Sequence, residues 1–127
     1  MKSNPVVWFE IYVNDLQRAK KFYETVFKTT LSELPTPEGN EDMKMLSFPM
    51  EMNGEGAAGA LVKMDGFEAS GSGTIVYFRS DDCAQEESRV EKAGGKIFQS
   101  KQSLGEYGAM VLANDTEGNM FGIHSER

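Results

Sequence analysis

The chain has 127 residues, 39% of them hydrophobic and 26% charged, with a formal net charge of −7. That length suits one domain with a real core, and the acidic balance disfavours nucleic acid or an anionic membrane as partner. One histidine, His124, and one cysteine, Cys83, exclude a two-imidazole iron site, a structural zinc site and an internal disulfide within one chain.

From Val6 the residues alternate in character. Val7, Phe9, Ile11 and Val13 are apolar and expected to face a core, while Val6, Trp8, Glu10 and Tyr12 share the other face of a strand. That face sets an indole beside a carboxylate. Asn14-Asp15 is a helix start with Asp15 as N-cap. Leu16, Ala19, Phe22, Tyr23, Val26 and Phe27 then recur at helical spacing, an apolar stripe able to cover Phe9 and Ile11. Three shorter strands are predicted around Thr30–Glu33, Lys44–Met50 and Ala58–Lys63, joined by turns at PTPEGNED and EMNGEG. A Gly/Ser-rich stretch from Asp65 to Gly73 reads as a linker. The design then returns. Val76 and Phe78 oppose Ile75, Tyr77 and Arg79 along a strand, Asp82 caps a helix with Gln85 in the capping-box position, and Gly94-Gly95 stops it. Strands around Lys96–Lys101, Ala109–Ala113 and Met120–Ser125 complete the second half. No apolar run reaches the roughly 18 residues of a membrane span, and no secretory leader pattern is visible. A cytoplasmic protein is the expectation.

Trp8 stands 67 residues before Ile75, and Asp15 stands 67 before Asp82; AAGALV resembles MFGIHS, with Gly59 standing 63 before Gly122. One unit is thus used twice. Module one is expected over about 5–64, a linker over 65–73 and module two over 74–125, together a single α+β domain. Its two βαβββ modules form curved mixed sheets around a cleft, with a helix outside each. The stretches VNDLQRAKKFYETVF, SDDCAQEESRVEKAGGK and YGAMVLANDTEGNMFGI carry a resemblance to the vicinal-oxygen-chelate superfamily of glyoxalase I, bleomycin resistance proteins and extradiol dioxygenases. The last stretch is similar to the family's aromatic-Gly and Asp-Pro-x-Gly-Asn pattern, with Thr116 in place of proline. The resemblance implies two modules curving about a shared cleft, a homodimer, and, in metal-dependent members, a ligand on each of four strands. Those positions fall on Trp8, Gly59, Ile75 and Gly122, which offer no lone pair to a divalent cation. The expectation is therefore no metal and no cofactor, against lactoylglutathione lyase or dioxygenase chemistry.

With Phe9, Ile11 and Val13 turned to the helix, the ligand-binding cleft is lined by Trp8, Glu10, Tyr12, Gly59, Ile75, Tyr77, Arg79, Gly122 and His124. Glu10 is either a carboxylate paired with Arg79 for structure or an acid–base group or ligand anchor. Trp8 is a space-filling plug or a platform for a flat ligand. His124 near the C-terminus reads as a solvated or sheet-edge residue or a catalytic one, and Cys83 as an inert small residue. Three functions compete. The first is metal-independent binding of a small organic molecule in the cleft. The second is a metal-independent lyase or isomerase, with Glu10 as acid or base and Arg79 or Tyr77 steadying an oxyanion. The third is a dimeric scaffold with a vestigial cleft. The expected partners are a small-molecule ligand and a second copy of the chain, without nucleic acid or membrane.

Overall fold

The alternation that opens the chain becomes strand β1 (Trp8–Tyr12) in the computed structural model, which describes residues 4, 6–35, 42–51, 53–69, 71 and 74–127. Residues 36–41 of the predicted PTPEGNED turn, Met52 in the EMNGEG turn, Pro5 and linker residues 70, 72 and 73 lie outside the described residues. Phe9 and Ile11 turn inward, and Val13 just past the strand is fully enclosed. Val7 does not follow them: it is 81% exposed, because β1 and its pairing begin only at Trp8.

Helix α1 (Leu16–Phe27) starts where expected, with the Asp15 carboxylate accepting from the Arg18 N–H at 3.0 Å. It ends at Lys28, whose backbone enters the left-handed region (φ 51°) and donates its N–H to the Glu24 carbonyl. Strands β2 (Ser32–Glu33), β3 (Lys44–Ser47) and β4 (Ala58–Lys63) follow, then β5 (Val76–Ser80) and helix α2 (Cys83–Val90), capped by Asp82. Strand β6 (Lys96–Ser103), a single 3-10 turn, β7 (Ala109–Asn114) and β8 (Met120–Ser125) complete the chain. The two halves build four-stranded sheets of the same strand order, β1-β4-β3-β2 and β5-β8-β7-β6. In each, the first strand runs parallel to the last and the other neighbours are antiparallel.

The core joins the halves. The Tyr23 ring of α1 lies 5.6 Å from Phe48 in the first half, and 5.8 and 5.6 Å from Phe78 and Phe121 in the second. Phe9 adds a link from β1, with its ring 6.0 Å from Phe78. Two of these contacts are edge-to-face and two are tilted; aromatic pairs contribute about 0.5–1.5 kcal/mol each beyond the area they bury.

A polar clasp beneath this core holds α1 to the β7–β8 turn. Tyr23 is fully buried, and its hydroxyl donates to Asp115 at 2.7 Å. Asp115 also accepts the backbone N–H groups of Glu117 and Asn119, both at 2.8 Å. Glu117, its side chain fully enclosed, accepts from the backbone of Asn14 and Asp15 at 2.9 and 2.8 Å and from both Nε and Nη2 of Arg18 at 2.6 and 3.0 Å. The NDTEGN stretch, read from sequence as a turn, is therefore the anchor of the helix start. Charge-assisted bonds such as these are the strong ones.

Candidate functional site

The free faces of the two sheets carry most of the residues predicted to line a cleft. On β1 the pleat turns Trp8, Glu10 and Tyr12 to this face, opposite the small or aliphatic Ala58, Ala60 and Val62 of β4. Long side chains two residues apart lean toward one another over that low floor. The indole Nε1 donates to one Glu10 oxygen at 3.1 Å and the Tyr12 hydroxyl donates to the other at 2.7 Å. This explains the indole beside a carboxylate: Glu10 fixes both rings. The hydrogen bond to Glu10, aided by partial burial, raises the Tyr12 phenol above its ordinary range. Tyr12 in turn stacks on Phe67, with centroids 5.3 Å apart and planes inclined by 27°.

Beside Glu10, at the seam between the sheets, lies a cavity of 310 Å³ whose walls include Tyr12, Phe67, Glu68, Thr74 and Asn119. Its floor reaches Tyr23 and Phe121 of the core. On the Trp8 side an open groove of 920 Å³ runs past Val6, Met50 and Glu55 to Arg79. The clasp steadies the cavity wall, since Asn119 Nδ2 donates to the Tyr12 carbonyl at 2.9 Å. Burial, reinforced by the neighbouring Asp115 carboxyl, pushes the Tyr23 phenol well above its usual range. Burial also raises Asp115, against the bonds it accepts. For Glu117 burial works in the same direction, but the bonds from Arg18 and the Asn14 and Asp15 amides outweigh it and hold the carboxyl below its ordinary value.

A second group forms on the other sheet. Tyr77, 50% exposed, pairs in register with Gly122, and Arg79 pairs with His124. A side chain at position 122 would overlap the Tyr77 ring, so Gly122 lets that ring lie flat on the sheet. His124 Nε2 sits 2.7 Å from the Tyr107 carbonyl. Arg79 bridges Glu55 at 3.2 Å, both groups being well exposed. The pairing of Glu10 with Arg79 considered from sequence is therefore not made: Glu10 is already satisfied within its own strand. Gly59 also departs from expectation. It pairs with Phe9, and a side chain there would meet the Phe9 ring, so Gly59 belongs to the core face of β4 and not to the cleft. Ile75 lies half-buried just before β5. Cys83 is buried and unbridged.

Phe67, Glu68, Thr74 and Asn119 were not read from the sequence as site residues. An aromatic residue inside the Gly/Ser-rich linker was the one available signal, and Phe67 is that residue.

Comparison with known proteins agrees with this duplicated architecture. Residues 6–50 match the family model described as "Bleomycin resistance protein-like N-terminal". The Mycobacterium tuberculosis protein named "Putative glyoxylase CFP32" is 27% identical over 118 residues, covering 91% of this chain. The chain spans less than half of that relative, 43% of its length. Among solved structures, a glyoxalase I mutant from Zea mays superposes with a TM-score of 0.73 at 20% identity, over 96% of this chain and 46% of that one. TnmS3, an antibiotic binding protein from Streptomyces sp. CB03234, superposes with a TM-score of 0.65 at 24% identity, covering 100% of this chain and 99% of its own. The chain shares the duplicated fold of the glyoxalase/bleomycin resistance/dioxygenase structures.

The metal that the resemblance to the vicinal-oxygen-chelate superfamily implies does not fit the residues present. The Trp8 nitrogen is a hydrogen-bond donor committed to Glu10, Ile75 is an alkyl chain, Gly59 faces the core and Gly122 lies under Tyr77. Among the described residues, no group of three or more His, Cys, Asp or Glu side chains is placed to hold a metal ion. Also among the described residues, no helix is long and apolar enough to cross a membrane.

Proposed function

We propose that this protein is a member of the superfamily and binds a small, flat organic molecule on the Trp8–Glu10–Tyr12 face without a metal. One observation carries the reading: Glu10 bonds both an indole and a phenol, presetting two aromatic surfaces beside a 310 Å³ cavity. Rings held in place before binding lose little freedom when a ligand arrives. The residues at the metal-ligand positions add support, as does the full-length likeness to TnmS3, which is named an antibiotic binding protein. Binding is favoured over turnover with Glu10 as acid or base, because both Glu10 oxygens already accept bonds from neutral donors.

The protein acts in the cytoplasm as a homodimer in this reading. Val6, Val7 and Met50 stand exposed along the groove beside Trp8, apolar surface that a second copy would cover. The test is NMR titration of the labelled protein with a panel of flat aromatic compounds of differing charge, with native mass spectrometry of the freshly purified chain. Shifts confined to the cavity and to Trp8, lost in Trp8→Ala, are expected. No shift with any compound of the panel would refute the reading.

A further inference from the structure

The cavity beside Glu10 is charged in an unbalanced way. Two carboxylates, Glu10 and Glu68, border it, together with the rings of Tyr12, Tyr23, Phe67 and Phe121. None of the described residues lining it is lysine, arginine or histidine. Arg79 is paired with Glu55 and Arg18 with Glu117, and neither lines the cavity. Glu10 accepts only from the neutral indole and phenol, and among the described residues Glu68 has no ion-pair partner.

We infer that this cavity selects an organic cation, a protonated amine or quaternary ammonium carried on a compact aromatic scaffold. The inference rests on the binding reading above and adds the charge of the ligand. Aromatic faces attract a cation through their quadrupoles, most strongly where water is displaced. Adjacent carboxylates add a Coulombic term of the same sign and repel an anion. The chain's net charge of −7 draws cations toward the surface in general. A bare divalent ion is a poorer fit, since it requires six or more oxygen ligands and these walls are mostly ring and alkyl surface.

The decisive probes are a matched pair of nearly identical shape, para-hydroxyphenyl-trimethylammonium and para-tert-butylphenol. Each is titrated into the labelled protein, following amide shifts and the fluorescence of Trp8, the only tryptophan of the chain. The ammonium compound should bind about tenfold more tightly or better, with shifts at Tyr12, Phe67 and Asn119 and a preference that weakens in salt. Glu10→Gln and Glu68→Gln should each reduce that preference several-fold, weakening the ammonium compound more than the neutral phenol. Glu10→Gln should also cost the neutral phenol some affinity, because glutamine can accept from only one of the two ring donors. Both positions are exposed, so both variants should fold. Equal affinity for the two probes would overturn the cation inference and leave the binding reading standing. A cationic preference whose shifts map away from this cavity, or that survives in both variants, would overturn it equally. Binding of neither probe would sink the inference, and the binding reading would fall with it only if the panel of flat aromatic compounds also gave no shift.

Discussion

Replacing Glu117 by glutamine tests the clasp that holds the start of α1. The carboxylate accepts four N–H groups, two from the backbone of Asn14 and Asp15 and two from Arg18, inside a fully enclosed site. Glutamine can keep its oxygen toward the two backbone amides, which share one carboxylate oxygen. Its amide nitrogen then faces Arg18 Nε, donor against donor, where the bond was 2.6 Å. One charge-assisted bond is lost and an opposed donor pair remains, a cost of about 2–3 kcal/mol. For a domain of this size that is a fall in melting temperature of roughly 6–12 °C. The pH dependence gives a second reading. Glu117 lies below its ordinary value in the folded chain, so its contribution is present above the unfolded carboxyl range and is lost as pH falls through the folded value. The gap between wild type and variant should therefore shrink in acid. Asp115 lies on the other side: burial raises it, so its contribution is present in acid and lost as pH rises through the raised value. The gap for Asp115→Asn should widen in acid. Urea melts of the three proteins between neutral and acid pH measure both trends. A Glu117→Gln cost below about 0.5 kcal/mol, or a gap that does not narrow in acid, would refute the clasp.

Two glycines should separate by face. Gly59→Ala drives a methyl into the Phe9 ring inside the core and should cost about 1–3 kcal/mol, whereas Gly122→Ala pushes only on the half-exposed Tyr77 ring and should cost less than about 1 kcal/mol; equal losses in thermal melts would contradict the assignment of faces. Lys28→Gly relieves a left-handed backbone at the end of α1 and should stabilise the protein by up to about 1 kcal/mol in the same assay.

Much of this was legible because it is local. The β1 alternation and the caps at Asp15 and Asp82 depend on neighbours a few residues away, and their spacing shows the repeat. The closing strands were harder. Aligning Gly59 with Gly122 puts the second glycine 63 residues on, but the pairing sets Glu10 opposite Ala60 and Tyr77 opposite Gly122, so the true counterpart of Gly122 is Ala60. A slip of one residue turns a side chain to the opposite face of a sheet, and so Gly59 was misplaced. The clasp was invisible for another reason. Glu117 meets Asn14 and Asp15 across 103 and 102 residues of chain, and no periodic signal reports a contact of that range. The Glu10–Arg79 pair failed because a carboxylate between two long ring-bearing donors finds its bonds without crossing the seam.

Tyr23 makes the two repeats interdependent. Its ring is walled by Phe48 from one repeat and by Phe78 and Phe121 from the other, while its hydroxyl is received by Asp115 of the second repeat. A lone first repeat would leave that tyrosine with half its walls missing and its hydroxyl without the Asp115 acceptor, so each repeat depends on the other for a closed core. Severed between β4 and β5, the halves should each remain unfolded alone and recover structure only when mixed.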